Sequence, residues 1–102
     1  MNISKVRKFD TLTINVEGKI TAQTAAEFEN FINDNLDGVS NLILDLKDTD
    51  YVSSAGLRVI LKAKKVMNTQ GTMKIVNVQE DVMRTFVMVS FPDIITIEQL
   101  PI

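Results

Sequence analysis

The segment from Ser53 to Gly56, which reads SSAG, has the clearest chemical potential in this chain. It follows an apolar run and a short polar loop, and it precedes a stretch with helical periodicity. Serine is among the best residues at a helix start, where its side chain stabilises the helix by roughly 1 kcal/mol. A serine hydroxyl there also lies beside unpaired backbone N–H groups, where an attached phosphate would be electrostatically favoured. The segment therefore indicates either a structural cap or a modifiable serine.

Gly56 does not turn this segment into a nucleotide-binding loop. The sequence SSAGL has one glycine and no following lysine, so neither a Walker loop nor a GxGxxG fingerprint is present. Close packing of a helix against a sheet is the simpler explanation for Gly56.

Three aspartates, Asp45, Asp48 and Asp50, lie in and around the loop before the serines. Clustered carboxylates can bind Mg²⁺, but solvated loop aspartates that start turns are the favoured interpretation. Asp45 interrupts an apolar strand, and we expect it to accept hydrogen bonds from backbone N–H groups of the loop. The sequence thus predicts no metal site and no cofactor.

The composition excludes several classes of function. The chain has no His and no Cys, which rules out Ser-His-Asp or Cys-His catalysis and thiolate chemistry within it. Its net charge is −2, so binding to nucleic acid is not expected. No apolar run approaches ~18 residues, and the first ten residues lack the apolar core of a secretory signal. We expect one cytoplasmic domain over residues 1–102 that does not insert in a membrane.

Strand-like and helix-like periods alternate along most of the chain, which predicts an α/β fold with a mixed, mostly parallel sheet packed with helices. Gly18 is expected to end the second strand, and Thr24 with Glu27 fits a capping box. The predicted strands lie within residues 1–10 and over 12–16, 41–46, 72–78 and 94–97, and the predicted helices over 22–36, 54–68 and 80–89.

Two of these elements carry more specific expectations. The near-continuous apolar run at 41–46 is typical of a strand covered on both faces, and a polar loop is expected at 47–50. In the second helix, one side is expected to carry Leu57, Ile60, Leu61 and Lys64, and the adjoining side Val59, Ala63 and Val66. In the third helix, the residues expected to face inward are Val82, Met83, Phe86 and Val87. A basic stripe on the second helix, Arg58, Lys62 and Lys65, is either a solvated face or a surface for a partner.

The sequence LILDLKDTDYVSSAGLRVIL resembles the signature of STAS domains, the fold of bacterial anti-sigma factor antagonists. In that family an apolar strand ends in Asp, and a short loop and an apolar pair then lead to D-S-[ST]-G-L at a helix start. The segments VEGKITAQTAAEFENFI and KIVNVQEDVMRTFVMVSFPDIITI are also similar to the family, so the resemblance covers nearly the whole chain.

The resemblance implies which residues form the site. Alignment on Gly56 and Leu57 places the family's phosphorylated serine at Ser54. Ser53 stands where the family usually has Asp, a difference that would either alter how a kinase recognises Ser54 or shift the modification to Ser53. A second departure is Thr21, which replaces a frequent acidic residue. The implied partner-binding residues are Tyr51, Val52, Ser53, Ala55, Gly56, Leu57 and Arg58, with Asp45 and Asp50 as supporting acidic residues.

The resemblance also implies the function. The chain would be an anti-sigma factor antagonist, a bacterial phosphoprotein that regulates transcription through protein–protein interaction and is not an enzyme. It would bind a serine-kinase anti-sigma factor when unphosphorylated, release it when phosphorylated, and be reset by a PP2C-type phosphatase. An alternative is a STAS interaction module of another bacterial signalling assembly, with or without serine phosphorylation. A small enzyme or phosphocarrier using the aspartates is disfavoured by the lack of His, a second domain and a nucleotide-binding loop.

Overall fold

The alternating periods of the sequence produce one sheet with helices packed against it. The computed structural model describes residues 1–101. Along the chain, these residues form β1 (Asn2–Lys8), β2 (Thr11–Ile20), α1 (Ala25–Asn33), β3 (Asn41–Asp45), β4 (Thr49–Val52), α2 (Ser54–Met67), β5 (Thr72–Val78), α3 (Glu80–Met88), a short 3-10 turn (Phe91–Asp93) and β6 (Thr96–Gln99).

The sheet has six strands, five of them in the order β1-β2-β3-β5-β6. β1 runs antiparallel to β2, and the other pairs are parallel, which confirms the predicted mixed, mostly parallel sheet. The remaining strand, β4, pairs in parallel with the last residues of β2. Because these two strands are parallel neighbours, the segments that follow them, leading to α1 and α2, leave the sheet at the same edge.

The core lies on one side of the sheet. Leu12, Ile14 and Val16 of β2 are buried, whereas the residues between them stay partly exposed. β3 alternates in the same way, with Leu42 and Leu44 buried, so the expectation of a strand covered on both faces was wrong. The buried residues of all three helices join these strand residues in a single cluster, so that within residues 1–101 no helix covers the other face of the sheet.

Two boundaries near the site differ from the prediction. Gly18 does not end β2, because its φ of +102° lets the strand continue through a register shift to Ile20. The predicted loop at 47–50 becomes the start of β4 at Thr49, which is fully buried. The Thr49 hydroxyl donates a hydrogen bond to the Val16 carbonyl at 2.6 Å. A strand of this length is too short for its period to be read from sequence.

The helix faces also needed correction. Thr24 is the N-cap of α1, but the predicted capping box is absent, because its Oγ1 accepts a hydrogen bond from the Thr21 N–H at 2.8 Å instead. Val66 and Val87 are exposed, and Leu61 is only partly buried. These side chains lie at the margins of the apolar stripes, where sequence periodicity alone does not fix burial.

None of the helices within residues 1–101 has both the length and the apolar character needed to cross a membrane.

Candidate functional site

The two serines at the start of α2 have different structural roles. Ser53 is the N-cap, with extended backbone, and its Oγ accepts a hydrogen bond from the Gly56 N–H at 3.1 Å. Ser54 is the first residue of the helix and is exposed. Its hydroxyl makes no hydrogen bond with any other part of residues 1–101. Ser53 therefore stabilises the helix as its N-cap, whereas the Ser54 hydroxyl forms no hydrogen bond within residues 1–101 that the fold would require.

The start of α2 is held firmly against the ends of β2 and β4. Ile20 and Val52 are paired across these strands, and the Ser53 N–H donates to the Ile20 carbonyl at 2.8 Å. A Cβ atom on Gly56 would lie 2.8 Å from Ile20 Cγ2 and 3.0 Å from Val52 Cγ1, so the glycine is required for this close approach. Val52 and Gly56 are buried, and any contribution they make to partner binding acts through packing.

An open groove of about 240 Å³ begins at Ser54. Leu57 and Leu61 of α2 form one wall, and Val89 and Phe91 from the segment after α3 form the other. Phe91 is buried and stacks on Phe86 with ring centroids 5.6 Å apart, which fixes that wall. The exposed serine hydroxyl thus stands at the edge of a mostly apolar surface, an arrangement suited to binding another protein.

Sequence reasoning missed part of this groove. Leu61, Val89 and Phe91 were not among the predicted site residues, because the last two lie more than thirty positions beyond Ser54 in the chain. The available signal was the segment FVMVSF at 86–91, in which five of six residues are apolar, more than one face of a helix can bury.

The two supporting aspartates do not line the groove. Asp45 Oδ1 accepts hydrogen bonds from the Lys47 N–H at 3.1 Å and from Asn77 Nδ2 at 3.2 Å. The predicted role of Asp45 in satisfying the loop backbone is therefore confirmed. Asp50 forms a surface ion pair with Lys19 at 3.0 Å. Within residues 1–101, Asp45, Asp48 and Asp50 do not form a cluster that could hold a metal ion.

The remaining predicted residues surround the serines at the surface. Tyr51, at the end of β4, is exposed, and Ala55 and Leu57 are partly exposed. Arg58 is exposed and lines the groove beside Ser54. One member of the basic stripe, Lys62, already forms an ion pair with Glu29 of α1 at 3.2 Å, so the stripe as a whole is not available to a partner.

The family model for the STAS domain matches residues 2–100 of the chain. The chain belongs to the STAS domain family. The matched range contains every strand and helix described above, together with Ser53, Ser54 and the groove.

Solved structures share the fold of this STAS domain at low sequence identity. An anti-sigma factor antagonist from Mycobacterium paratuberculosis is 16% identical, with a TM-score of 0.87, and the match covers 95% of this chain and 84% of that one. The Bacillus cell-fate determinant SpoIIAA in its phosphorylated form is 12% identical, with a TM-score of 0.74 and coverage of 94% and 90%. A STAS domain protein from Planctomyces limnophilus is 11% identical, with a TM-score of 0.75 and coverage of 97% and 91%.

The departure of this STAS domain from the usual motif has a local explanation. Ser53 stands where the signature that this sequence resembles has Asp, and both residues are good N-caps. The bond from the Gly56 N–H to Ser53 Oγ keeps the cap, while the negative charge that an Asp would place beside Ser54 is missing.

Proposed function

We propose that this STAS domain is an anti-sigma factor antagonist, a binding module switched by phosphorylation of Ser54. The observation that carries the proposal is the exposed Ser54 hydroxyl, which has no structural hydrogen bond within residues 1–101 and opens onto an apolar groove. A binding module of this kind needs a modifiable group at its contact surface that the fold itself does not require. Ser54 meets this condition and Ser53, as the cap, does not.

The proposed partner is a serine-kinase anti-sigma factor of the bacterial cytoplasm. It binds the unphosphorylated domain by placing apolar side chains between Leu57 and Phe91, with Tyr51 and Arg58 at the rim. The kinase transfers the γ-phosphoryl group of ATP to Ser54 Oγ, which releases ADP and the hydroxyl proton. A PP2C-type phosphatase hydrolyses the ester and restores the serine. In this proposal the domain is the substrate in both reactions and is not an enzyme.

Phosphorylation would act on binding rather than on folding. A phosphate adds about −1.5 to −2 charges near pH 7, and at an exposed helix N-terminus this charge is favourable by about 0.3–1 kcal/mol. In a complex, however, the dianion would have to be desolvated beside apolar groups. A loss of only ~2.7 kcal/mol lowers the affinity about a hundredfold.

The proposal is tested with a serine-kinase anti-sigma factor from the same genome, ATP and single-site variants. Wild type and Ser53→Ala should both be labelled, and mass spectrometry should locate the phosphate on Ser54. Ser54→Ala should bind the kinase but take up no label, and Ser54→Asp should stay folded and bind about a hundredfold more weakly. Labelling of Ser54→Ala at the wild-type level would refute the assignment.

The groove is tested separately with a matched pair of valines. Val89 in the groove wall is 45% exposed, and Val66 on α2, outside the groove, is 40% exposed. Val89→Asp should therefore weaken kinase binding at least tenfold, whereas Val66→Asp should leave it unchanged. Equal effects of the two substitutions would show that the partner does not use the groove.

One observation supports the second candidate, a STAS interaction module of another signalling assembly. Ser53 lacks the negative charge that the family usually has beside the phosphorylated serine, and a kinase could read that charge. If no serine-kinase anti-sigma factor labels or binds the domain while Val89→Asp still abolishes assembly with another signalling protein, the second candidate is the correct one.

A further inference from the structure

Arg58 is the cation nearest in sequence to Ser54, and within residues 1–101 its guanidinium has no ion-pair or hydrogen-bond partner. The other arginines of the chain are bound, since Arg7 donates to the carbonyls of Phe9 and Asp37, and Arg84 pairs with Glu80 and Asp81. Within residues 1–101, Arg58 forms neither an ion pair nor a hydrogen bond. It lines the groove together with Ser54.

The position of Arg58 allows it to reach a group attached to Ser54. The two residues are four positions apart in α2, so they lie one above the other on the same helix face. Side chains in a helix tilt toward its N-terminus, which directs Arg58 toward Ser54 and not away from it. Arginine also matches the geometry of phosphate oxygens with two parallel N–H donors.

We propose that Arg58 binds the phosphate of phosphorylated Ser54 at the edge of the groove that both residues line. This inference rests on the proposed modification of Ser54 and adds a second element to the switch. Phosphorylation then introduces charge at the edge of the groove and also holds the Arg58 side chain there, so that it is no longer free to contact a partner. The change involves side chains only and needs no movement of the backbone.

The test uses the full chain with phosphoserine incorporated at position 54 during translation, so no kinase is involved. The second pKa of phosphoserine is about 6, and a nearby cation lowers it. Titration followed by ³¹P NMR should give a phosphate pKa that is lower in the otherwise wild-type chain than in Arg58→Gln by about 0.3–0.7 unit. Arg58→Lys should recover part of this shift.

Lys65→Gln is the matched control, because Lys65 is an exposed cation of the same helix that lies outside the groove. It should leave the phosphate pKa close to that of the phosphorylated wild-type domain. Methyl resonances of Leu57 and Val89 report on the surroundings of the phosphate, and the change that phosphorylation causes in them should be larger in the wild type than in Arg58→Gln, where only the phosphate charge acts on them.

Two results would overturn the inference. The first is an equal phosphate pKa in Arg58→Gln and Lys65→Gln, and the second is a change of the methyl spectrum on phosphorylation that is the same in the wild type and in Arg58→Gln. Failure of the proposed function has a different signature, because it would appear as absent labelling or binding by the kinase. That result does not alter the NMR titration of a phosphoserine installed without a kinase.

Discussion

The different roles of Ser53 and Ser54 predict that one alanine substitution destabilises the domain and that its neighbour leaves the stability almost unchanged. Ser53→Ala removes the Oγ that accepts the 3.1 Å hydrogen bond from the Gly56 N–H. Gly56 is buried, so water has little access to the donor that is left behind. Loss of a serine N-cap costs about 1 kcal/mol, up to about 2 kcal/mol when the freed group stays buried.

Ser54→Ala removes an exposed hydroxyl without a bond, and alanine is a better helix former than serine. Its effect should therefore stay within about 0.5 kcal/mol in either direction. For a domain of this size, 1 kcal/mol corresponds to a change in Tm of about 4–8 °C. Urea denaturation followed by circular dichroism should show a lower midpoint for Ser53→Ala, with an unchanged m value, and almost no change for Ser54→Ala.

Ser53→Asp is the control for this pair, because aspartate also caps helices and should restore the stability that Ser53→Ala loses. If Ser54→Ala lowered the stability as much as Ser53→Ala, the Ser54 hydroxyl would contribute to the stability of the fold. The reasoning that assigns the modification to Ser54 would then fail, since that residue would no longer be free of a role in the fold.

Four further substitutions test the packing. Gly71→Ala should destabilise the domain by about 3 kcal/mol or more, because the new Cβ would lie 1.8 Å from the Ser40 carbonyl oxygen. A lower midpoint in chemical denaturation, or a lower yield of folded protein, would show this loss. Phe9→Gly should raise the free energy of unfolding by about 0.5–1 kcal/mol, because Phe9 is 97% exposed and its φ of +57° lies in the left-handed region that glycine adopts more easily. An unchanged or lower denaturation midpoint would contradict this. Ile60→Ala should lower the free energy of unfolding by about 2–5 kcal/mol, because Ile60 is fully buried. Leu61→Ala should lower it clearly less, because Leu61 is only partly buried. A lower melting temperature for Ile60→Ala than for Leu61→Ala would confirm the assignment of the helix face.

The elements that could be predicted from sequence are those with strong local patterns. The strand predicted over 72–78 matches β5 (Thr72–Val78), and the helix predicted over 54–68 matches α2 (Ser54–Met67) to one residue. In both, the hydrophobic period persists long enough to identify the element. β4 was missed because its four residues contain no complete period, and its identity depends on pairing with β2.

The sequence by itself determined that a serine pair opens a helix and that no His or Cys chemistry accompanies it. It did not decide which serine caps the helix, because both are equally good caps in isolation. That choice follows from the tertiary structure, in which the Ser53 N–H is held by the Ile20 carbonyl, so Ser53 keeps an extended backbone and the helix begins at Ser54. The second wall of the groove also depends on the tertiary structure. Val89 and Phe91 reach Ser54 only after α3 has packed against β4, and no local pattern encodes a contact between segments so far apart in the chain.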